Sequence, residues 1–155
     1  RKEVAEEVVT SYRKLWQEAR LKGEERKRRP RVYLEEWDGP QISGIRWFCE
    51  VAETCGGAEI FAGQKSSSLA VDRIVSAEEV VHLNPDIILA SWCGKPVDLA
   101  SFSERPGWDQ IEAVKNKQCY EIPSEIILQP GPALFKEAFS RVHQIYDAWE
   151  DVSPL

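Results

Sequence analysis

Two tryptophans stand in short glycine-containing segments at the ends of apolar runs, and they are the residues that most suggest chemistry. Trp37 lies within residues 36–40 (EWDGP), and Trp92 lies within residues 91–94 (SWCG). Two indoles at one edge of a sheet would form a flat apolar platform with N–H donors at its rim. The pattern predicts a surface that binds a macrocycle or an aromatic ligand. The alternative for each indole alone is packing against a neighbouring helix.

The polar and reactive side chains around these tryptophans form no recognisable catalytic arrangement. Cys93 could act as a nucleophile or as a ligand to cobalt or iron, but no histidine is placed by the sequence to activate its thiol. Glu35 and Glu36 are adjacent, so on a strand they point to opposite faces and do not form an acid–base pair. There is no G-x-S-x-G elbow and no G-x-G-x-x-G turn. We therefore expect a binding protein; an enzyme, such as a chelatase or a reductase, would have to use Cys93 with Asp38 and Glu125.

The cysteines and histidines do not predict a metal site. The four cysteines form no C-x-x-C pair, and the spacing of Cys49 and Cys55 fits neither a zinc knuckle nor a redox motif. We expect buried free thiols, because free cysteine is among the most buried residue types. His82 and His143 fall in helical patterns without a second ligand nearby. Neither a bound metal nor a cofactor of the protein's own is expected.

Length and charge limit the class of protein further. The chain has 155 residues, which is enough for one domain with a real core. Its net charge of −6 argues against a nucleic-acid binder, which would need a basic face to replace phosphate counterions. No apolar run approaches the roughly 18 residues that span a bilayer. The chain begins at Arg1 with no leader segment, so we expect it to be part of a longer or processed protein.

Strands that alternate with helices must position the tryptophans. Apolar runs predict three strands, at residues 32–36, 86–91 and 119–122. Helical periodicity and capping signals predict helices at residues 4–19, 43–54, 76–83, 108–114 and 133–150, with a short extended piece at 58–62. This order predicts an α/β fold, a three-layer lobe with a mostly parallel sheet flanked by helices. The carboxyl ends of its strands should meet at one edge and offer a ligand site there.

The remaining segments are given structural roles. Residues 22–31 (KGEERKRRPR) predict a solvated basic connector. The other four tryptophans are expected in the core or between helices: Trp16, Trp47, Trp108 and Trp149.

Three segments resemble a known family. Residues 29–57 (RPRVYLEEWDGPQISGIRWFCEVAETCGG), 76–94 (SAEEVVHLNPDIILASWCG) and 129–134 (QPGPAL) are similar to the C-terminal lobe of periplasmic solute-binding proteins. The class is the one that serves cobalamin and iron-siderophore ABC transporters. The E-W-D-x-P and W-C-G pieces look most like its cobalamin-binding branch. The resemblance covers about residues 30–150.

The resemblance implies a division of the chain and a site. Residues 1–29 would be the end of an interlobe helix with its basic connector, and residues 30–155 the C-terminal lobe. A corrinoid such as cobalamin would bind in the cleft between this lobe and a missing N-terminal lobe; a haem or an iron-siderophore is the alternative. The implied ligand-binding residues are Trp37, Asp38, Trp92, Cys93, Gly94, Glu125 and Gln129.

The same resemblance implies partners and a location. The partners would be an ABC permease and a small-molecule ligand, either a cobalt corrinoid or an iron chelate. The location would be periplasmic or extracytoplasmic. Family members carry an acidic residue that meets permease arginines just before the last helix; here Leu128 or Gln129 stands there, with Glu125 displaced. Because a lone lobe exposes its cleft face, we also expect a dimer through Trp37 and Trp92.

Overall fold

The computed structural model describes residues 2–64 and 67–152. Among these residues, the α-helices are Lys2–Glu24 (α1), Arg46–Thr54 (α2), Ala77–Leu83 (α3), Ser101–Glu104 (α4), Glu112–Lys115 (α5), Ser124–Ile127 (α6) and Phe139–Val152 (α7). The strands are Arg31–Asp38 (β1), Gln41–Ser43 (β2), Ala58–Glu59 (β3), Ile87–Ala90 (β4) and Cys119–Glu121 (β5). Short 3-10 turns occupy Ala62–Gln64, Ala70–Arg73 and Trp108–Gln110, and a π-turn at Leu134–Ala138 leads into α7.

The strands form one mixed sheet in the order β2-β1-β4-β5, with β3 also paired to β1. β1 runs parallel to β3 and β4, and β4 runs parallel to β5. Only the pair of β1 with β2 is antiparallel among these strands. The predicted α/β lobe with a mostly parallel sheet is therefore confirmed. The β1–β2 hairpin was not predicted, because residues 41–43 are too few to show an alternating pattern.

Alternating side chains of the strands feed two cores, one on each face of the sheet. Val32 and Leu34 of β1 pack with α1, α2 and α7, whereas Tyr33 packs with α3 and the turn at Trp108. All four residues of β4 are fully buried, as expected for a strand covered on both faces. The sheet is therefore the middle one of three layers. A ligand site can form at the carboxyl ends of its strands.

Local signals placed several helices well and missed others. The capping signal predicted at the start of the 76–83 helix is a complete capping box: the Ser76 hydroxyl accepts from the Glu79 N–H at 3.1 Å, and the Ser76 N–H donates to the Glu79 carboxylate at 3.0 Å. The helix predicted at 108–114 is interrupted at Ile111, which has extended backbone angles. The single-turn helices α4 and α6 were not predicted, because four residues carry too little periodicity.

Three of the four tryptophans assigned to packing are buried or partly buried. Trp108 and Trp149 are buried, and the indole N–H of the partly buried Trp47 donates to the Ile127 carbonyl at 2.9 Å. The prediction for Trp16 is wrong, because its side chain is 45 % exposed. It lies in the first two-thirds of α1, where nearly every side chain faces solvent.

Arg26 fastens the end of α1 to the body of the lobe. Its buried guanidinium donates to the Cys55 carbonyl at 2.8 Å and to the Asp147 carboxylate at 2.8 Å. It also donates to Nδ1 of His143 at 3.0 Å, while Nε2 of His143 lies 3.0 Å from the Ala19 carbonyl oxygen. Since a guanidinium cannot accept a hydrogen bond, Nδ1 must accept and Nε2 must carry the proton. His143 is therefore held neutral. The predicted basic connector is helical up to Glu24 and is bound to α7 rather than solvated throughout.

This arrangement predicts an acid-sensitive stability that depends on His143. Burial lowers the pKa of His143, and the nearby Lys22 and Arg26 lower it further against the opposing effects of the Ala19 hydrogen bond and Asp147. The unfolded chain takes up a proton near its ordinary pKa of about 6.5, whereas the folded chain resists it. The contribution of His143 is therefore present above that pH and is lost as the pH falls through the folded-state pKa.

The measurement is the free energy of unfolding at several pH values below 7, for the wild type and for His143→Gln, which stays neutral. We expect the decline with acid to be shallower in the variant. His82→Gln is the matched control, because His82 is exposed on α3. Equal slopes in the wild type and His143→Gln would contradict the assignment.

Candidate functional site

The carboxyl ends of β1 and β4 bring Trp37 and Trp92 to the same edge of the sheet. The two strands are parallel and in register, with Glu35 opposite Ala90. The ammonium of Lys95 lies 4.5 Å from the ring centre of Trp37 and 4.6 Å from that of Trp92. The predicted meeting of the two indoles at one edge is therefore confirmed.

Lys95 connects the carboxyl ends of β1 and β4. The sequence did not predict this role. Its Nζ lies 3.0 Å from each carboxylate oxygen of Asp38, on β1. The side chain of Lys95 is 40 % exposed and that of Asp38 is 31 % exposed, so the pair faces solvent. The only sequence feature that could have identified Lys95 is its position, one residue beyond the W-C-G segment at the end of β4. We call the cluster of Trp37, Asp38, Trp92 and Lys95 the strand-end surface.

Trp92 does not form the exposed platform that the sequence predicts. Its side chain is only 3 % exposed, and its indole N–H donates to the Glu35 carboxylate at 3.1 Å. Its ring also meets Phe102 edge-on. The prediction of an indole donor at the rim is wrong for Trp92, because the buried carboxylate of Glu35 already takes that hydrogen. The partly exposed indole on this surface is Trp37.

A buried ion pair beneath the strand-end surface holds Trp92 in place. Arg105 donates to the two oxygens of Glu35 at 2.6 and 2.9 Å, and the Tyr33 hydroxyl donates to the same carboxylate at 3.2 Å. The guanidinium of Arg105 lies over the rings of Phe102 and Trp108. Burial, together with the neighbouring Glu35 charge, holds the pKa of Tyr33 well above its usual value, so its hydroxyl remains a donor. The network ties the segment after β4 to β1.

Glu36 belongs to a separate ion pair. Its carboxylate accepts from the buried Arg73 at 2.7 Å, and Arg73 also donates to the Ser43 carbonyl of β2. Glu35 and Glu36 thus bind different arginines, in agreement with the expectation that they do not act as a pair. Arg73 closes the hairpin of β1 and β2, and so supports the backbone next to Trp37.

The other four predicted site residues follow β4 or β5. Cys93 is exposed and free, and Gly94 adopts the left-handed region with a φ of 75°. Glu125 and Gln129 are exposed and follow β5, two strands away from β1. The structure does not bring them into the cluster around Lys95, and the role of all four in ligand binding stays a prediction.

The cysteines differ in their surroundings. Cys49 and Cys55 are buried, and burial raises the pKa of Cys55 to about 12. Cys119 is half-buried, and burial likewise raises its pKa to about 12. The expectation of buried thiols is wrong for Cys93, because the turn at residues 93–95, directly after the buried Trp92, is exposed to solvent. Across residues 2–64 and 67–152, no group of three or more His, Cys, Asp or Glu side chains could hold a metal ion.

Removing Glu35 should destabilise the lobe strongly. In Glu35→Ala the guanidinium of Arg105 stays largely buried without its partner, which typically costs about 3–5 kcal/mol. The measurement is the free energy of unfolding in urea. Glu50→Ala is the matched control, because it breaks the exposed Arg46–Glu50 pair on α2 and should cost no more than about 0.5 kcal/mol. A similar small loss for both variants would contradict the importance of this network.

Most of the chain matches a known protein family. A family model described as "Periplasmic binding protein" matches residues 1–126. A curated relative from Bacillus subtilis, an uncharacterized ABC transporter substrate-binding lipoprotein, is 30% identical over 69 residues, which are 44% of this chain and 21% of the relative. None of the helices in the described part of the chain is long and apolar enough to cross a bilayer.

Solved structures share the fold. An ABC transporter substrate-binding protein from Listeria monocytogenes has a TM-score of 0.79 and 21% identity, with coverage of 94% of this chain and 58% of its own. The vitamin B12 binding protein BtuF of Vibrio cholerae has a TM-score of 0.71 and 22% identity, with coverage of 96% and 55%. IsdE of S. aureus, solved with heme, has a TM-score of 0.72 and 19% identity, with coverage of 94% and 58%.

These relatives are longer than the chain, which spans a little over half of each of the three solved structures. The family match nevertheless covers most of the chain. The three solved structures share its fold, a mixed sheet between two helical layers. The predicted resemblance is thereby confirmed, and the chain belongs to the periplasmic binding protein family.

Proposed function

We propose that this chain is the C-terminal lobe of the substrate-binding component of an ABC import system, working outside the cytoplasm. Residues 1–29 would be the end of an interlobe helix with its connector, and residues 30–155 the lobe. The strand-end surface would form this lobe's side of the cleft. The family membership, and the fold shared with proteins named as substrate-binding components, support this proposal.

The single observation that carries the ligand proposal is the half-buried indole of Trp37 at the carboxyl end of β1. It offers a flat apolar face beside the polar groups of Asp38 and Lys95. Ligands of open α/β sheets bind at this edge. A corrinoid such as cobalamin matches this combination, because it has a broad ring and a rim of amide groups. The vitamin B12 binding protein with the same fold adds support.

A haem or an iron-siderophore is the second candidate, and Lys95 is the observation that favours it. Its half-exposed ammonium could pair with a carboxylate or another anionic group on such a ligand. The protein solved with heme has the same fold and supports this alternative. Both candidates use the same surface and differ in the charge of the ligand rim.

An enzyme that uses Cys93 gains no support from the geometry. Asp38, the carboxylate proposed to assist it, is bound to Lys95. His143 is buried in α7 against Ala19, and His82 lies on α3, so neither stands at the carboxyl end of β4. The family and the structures that share this fold are named as binding proteins. Ligand capture without catalysis remains the proposal.

The partners follow from the same proposal. An N-terminal lobe would supply the other half of the ligand site, and an ABC permease would receive the ligand. Leu128 or Gln129 stands where family members carry the acidic residue for permease arginines, and the exposed Glu125 on α6 is displaced from that position. Self-association through the cleft face would rest on Trp37 alone, because Trp92 is buried.

The test is isothermal titration calorimetry of the complete two-lobed protein with cyanocobalamin, haemin and a ferric siderophore. We expect saturable binding of cyanocobalamin, and at least about tenfold weaker binding in Trp37→Ala, since stacking on an indole is lost. Trp16→Ala is the matched control, because Trp16 is an exposed indole on α1 that does not belong to the strand-end surface.

The outcomes distinguish the two candidate ligand classes. Binding of haemin or of the siderophore alone, with the same loss in Trp37→Ala, would move the ligand class and keep the transport proposal. Binding that Trp37→Ala leaves unchanged would contradict the placement of the site. A complete protein that binds none of the three would contradict the ligand proposal in both forms.

A further inference from the structure

The ammonium of Lys95 occupies the position of a bound cation on the strand-end surface. It lies over two indole rings, at 4.5 Å from the centre of Trp37 and 4.6 Å from that of Trp92. It also lies 3.0 Å from both oxygens of Asp38. Aromatic faces combined with a carboxylate are the groups that recognise organic ammonium ions in proteins. The three side chains therefore form a cation cage, and its occupant is a side chain of the same protein.

The cage is held firmly on its protein side. Trp92 is fixed from below by its hydrogen bond to Glu35, which is itself bound by Arg105. Trp37 and Asp38 stand on β1, next to the hairpin that Arg73 closes. The walls of the cage would therefore persist if the ammonium left.

The occupant, in contrast, is held by weak and reversible contacts. Its ion pair with Asp38 is partly exposed, and exposed pairs of this kind contribute little to stability. Residues 93–96 are all exposed, and a Cβ atom placed on Gly94 would meet nothing within 4 Å. Lys95 therefore has room to turn away from the indoles when another group competes for it.

We propose that Lys95 is a specificity-determining residue that fills this cation cage and so excludes cationic ligands from the strand-end surface. A flat ligand enters when its rim offers acceptor oxygens, of an amide or a carboxylate. These oxygens replace Asp38 as the hydrogen-bond acceptors of the Lys95 ammonium. A ligand that presents only an ammonium to this surface offers no acceptor to Lys95 and meets a cage that is already occupied. The exclusion of cations rests on the geometry of this chain alone; the admission of the ligand also rests on the proposed function.

The first test removes the occupant and offers the cage a replacement. The probe is tetramethylammonium chloride, added to the ¹⁵N-labelled chain and to its Lys95→Ala variant. The readout is the indole N–H resonance of Trp37, identified by its loss in Trp37→Phe. We expect saturable shifts in Lys95→Ala, with an affinity at least about tenfold higher than in the wild type. Sodium chloride at equal concentration is the control for ionic strength.

Two further variants make the result specific. Lys95→Arg keeps a cation in the cage and should respond as weakly as the wild type. Lys115→Ala removes a half-exposed lysine that pairs with Glu112 elsewhere on the surface, and it should also behave like the wild type. If Lys95→Ala binds tetramethylammonium no better than the wild type, the cage assignment is overturned.

The second test concerns ligand admission and uses the complete two-lobed protein. Cyanocobalamin, or whichever ligand calorimetry shows to bind, should bind about tenfold more weakly to Lys95→Met, since a charge-assisted hydrogen bond is lost. Lys95→Arg should retain most of the affinity. An unchanged affinity in Lys95→Met would overturn the admission step. Cation binding by Lys95→Ala alongside a complete protein that binds no macrocycle would support the cage and count against the proposed function, so the two failures are distinguishable.

Discussion

The carboxylate of Glu35 is the constraint on which this end of the sheet depends. It is fully buried, and burial of an unpaired carboxylate would be strongly unfavourable. Arg105, Trp92 and Tyr33 supply the compensating hydrogen bonds, and they come from the segment after β4 and from β1 itself. One buried charge therefore fixes where the chain goes after β4, and it holds Trp92 beneath the ammonium of Lys95.

This constraint assigns different roles to two tryptophans that look equivalent in the sequence. Trp92 serves the protein interior, with its indole nitrogen satisfied by Glu35, while Trp37 keeps an exposed face. Lys95 lies over both rings and joins the two strand ends through Asp38. The surface that a ligand would meet is therefore one indole with a cation in front of it, rather than two open indoles. Under our proposal, this site would select ligands by charge as well as by shape.

The fold was predictable from the sequence because its signals are local. A short apolar run in β1, a continuous apolar run in β4 and the capping signal before α3 each specify an element on their own, and the order of the elements specifies a parallel sheet. The hairpin strand β2 and the one-turn helices α4 and α6 are too short for such signals. Trp16 on α1 is exposed. The periodicity of the helix could not show whether its indole is exposed or packed.

The site was predictable only in part, because its decisive contacts are between residues far apart in the sequence. Parallel strands alone place Trp37 and Trp92 at one edge. The partners of Glu35 include Arg105, seventy positions later, and the partner of Asp38 is Lys95, fifty-seven positions later. Neither pairing leaves a motif, since arginine and lysine occur in many exposed segments. Side-chain geometry was needed to show which indole is buried and which cation lies over it.

The most direct measurement of the central claim is a crystal structure of the complete two-lobed protein with its ligand bound. The account predicts that the ligand ring stacks on Trp37, that Trp92 stays bound to Glu35, and that Lys95 has left Asp38 for an oxygen on the ligand rim. A ligand bound away from Trp37, or one that lies in the cleft while Lys95 remains between the two indoles, would contradict it.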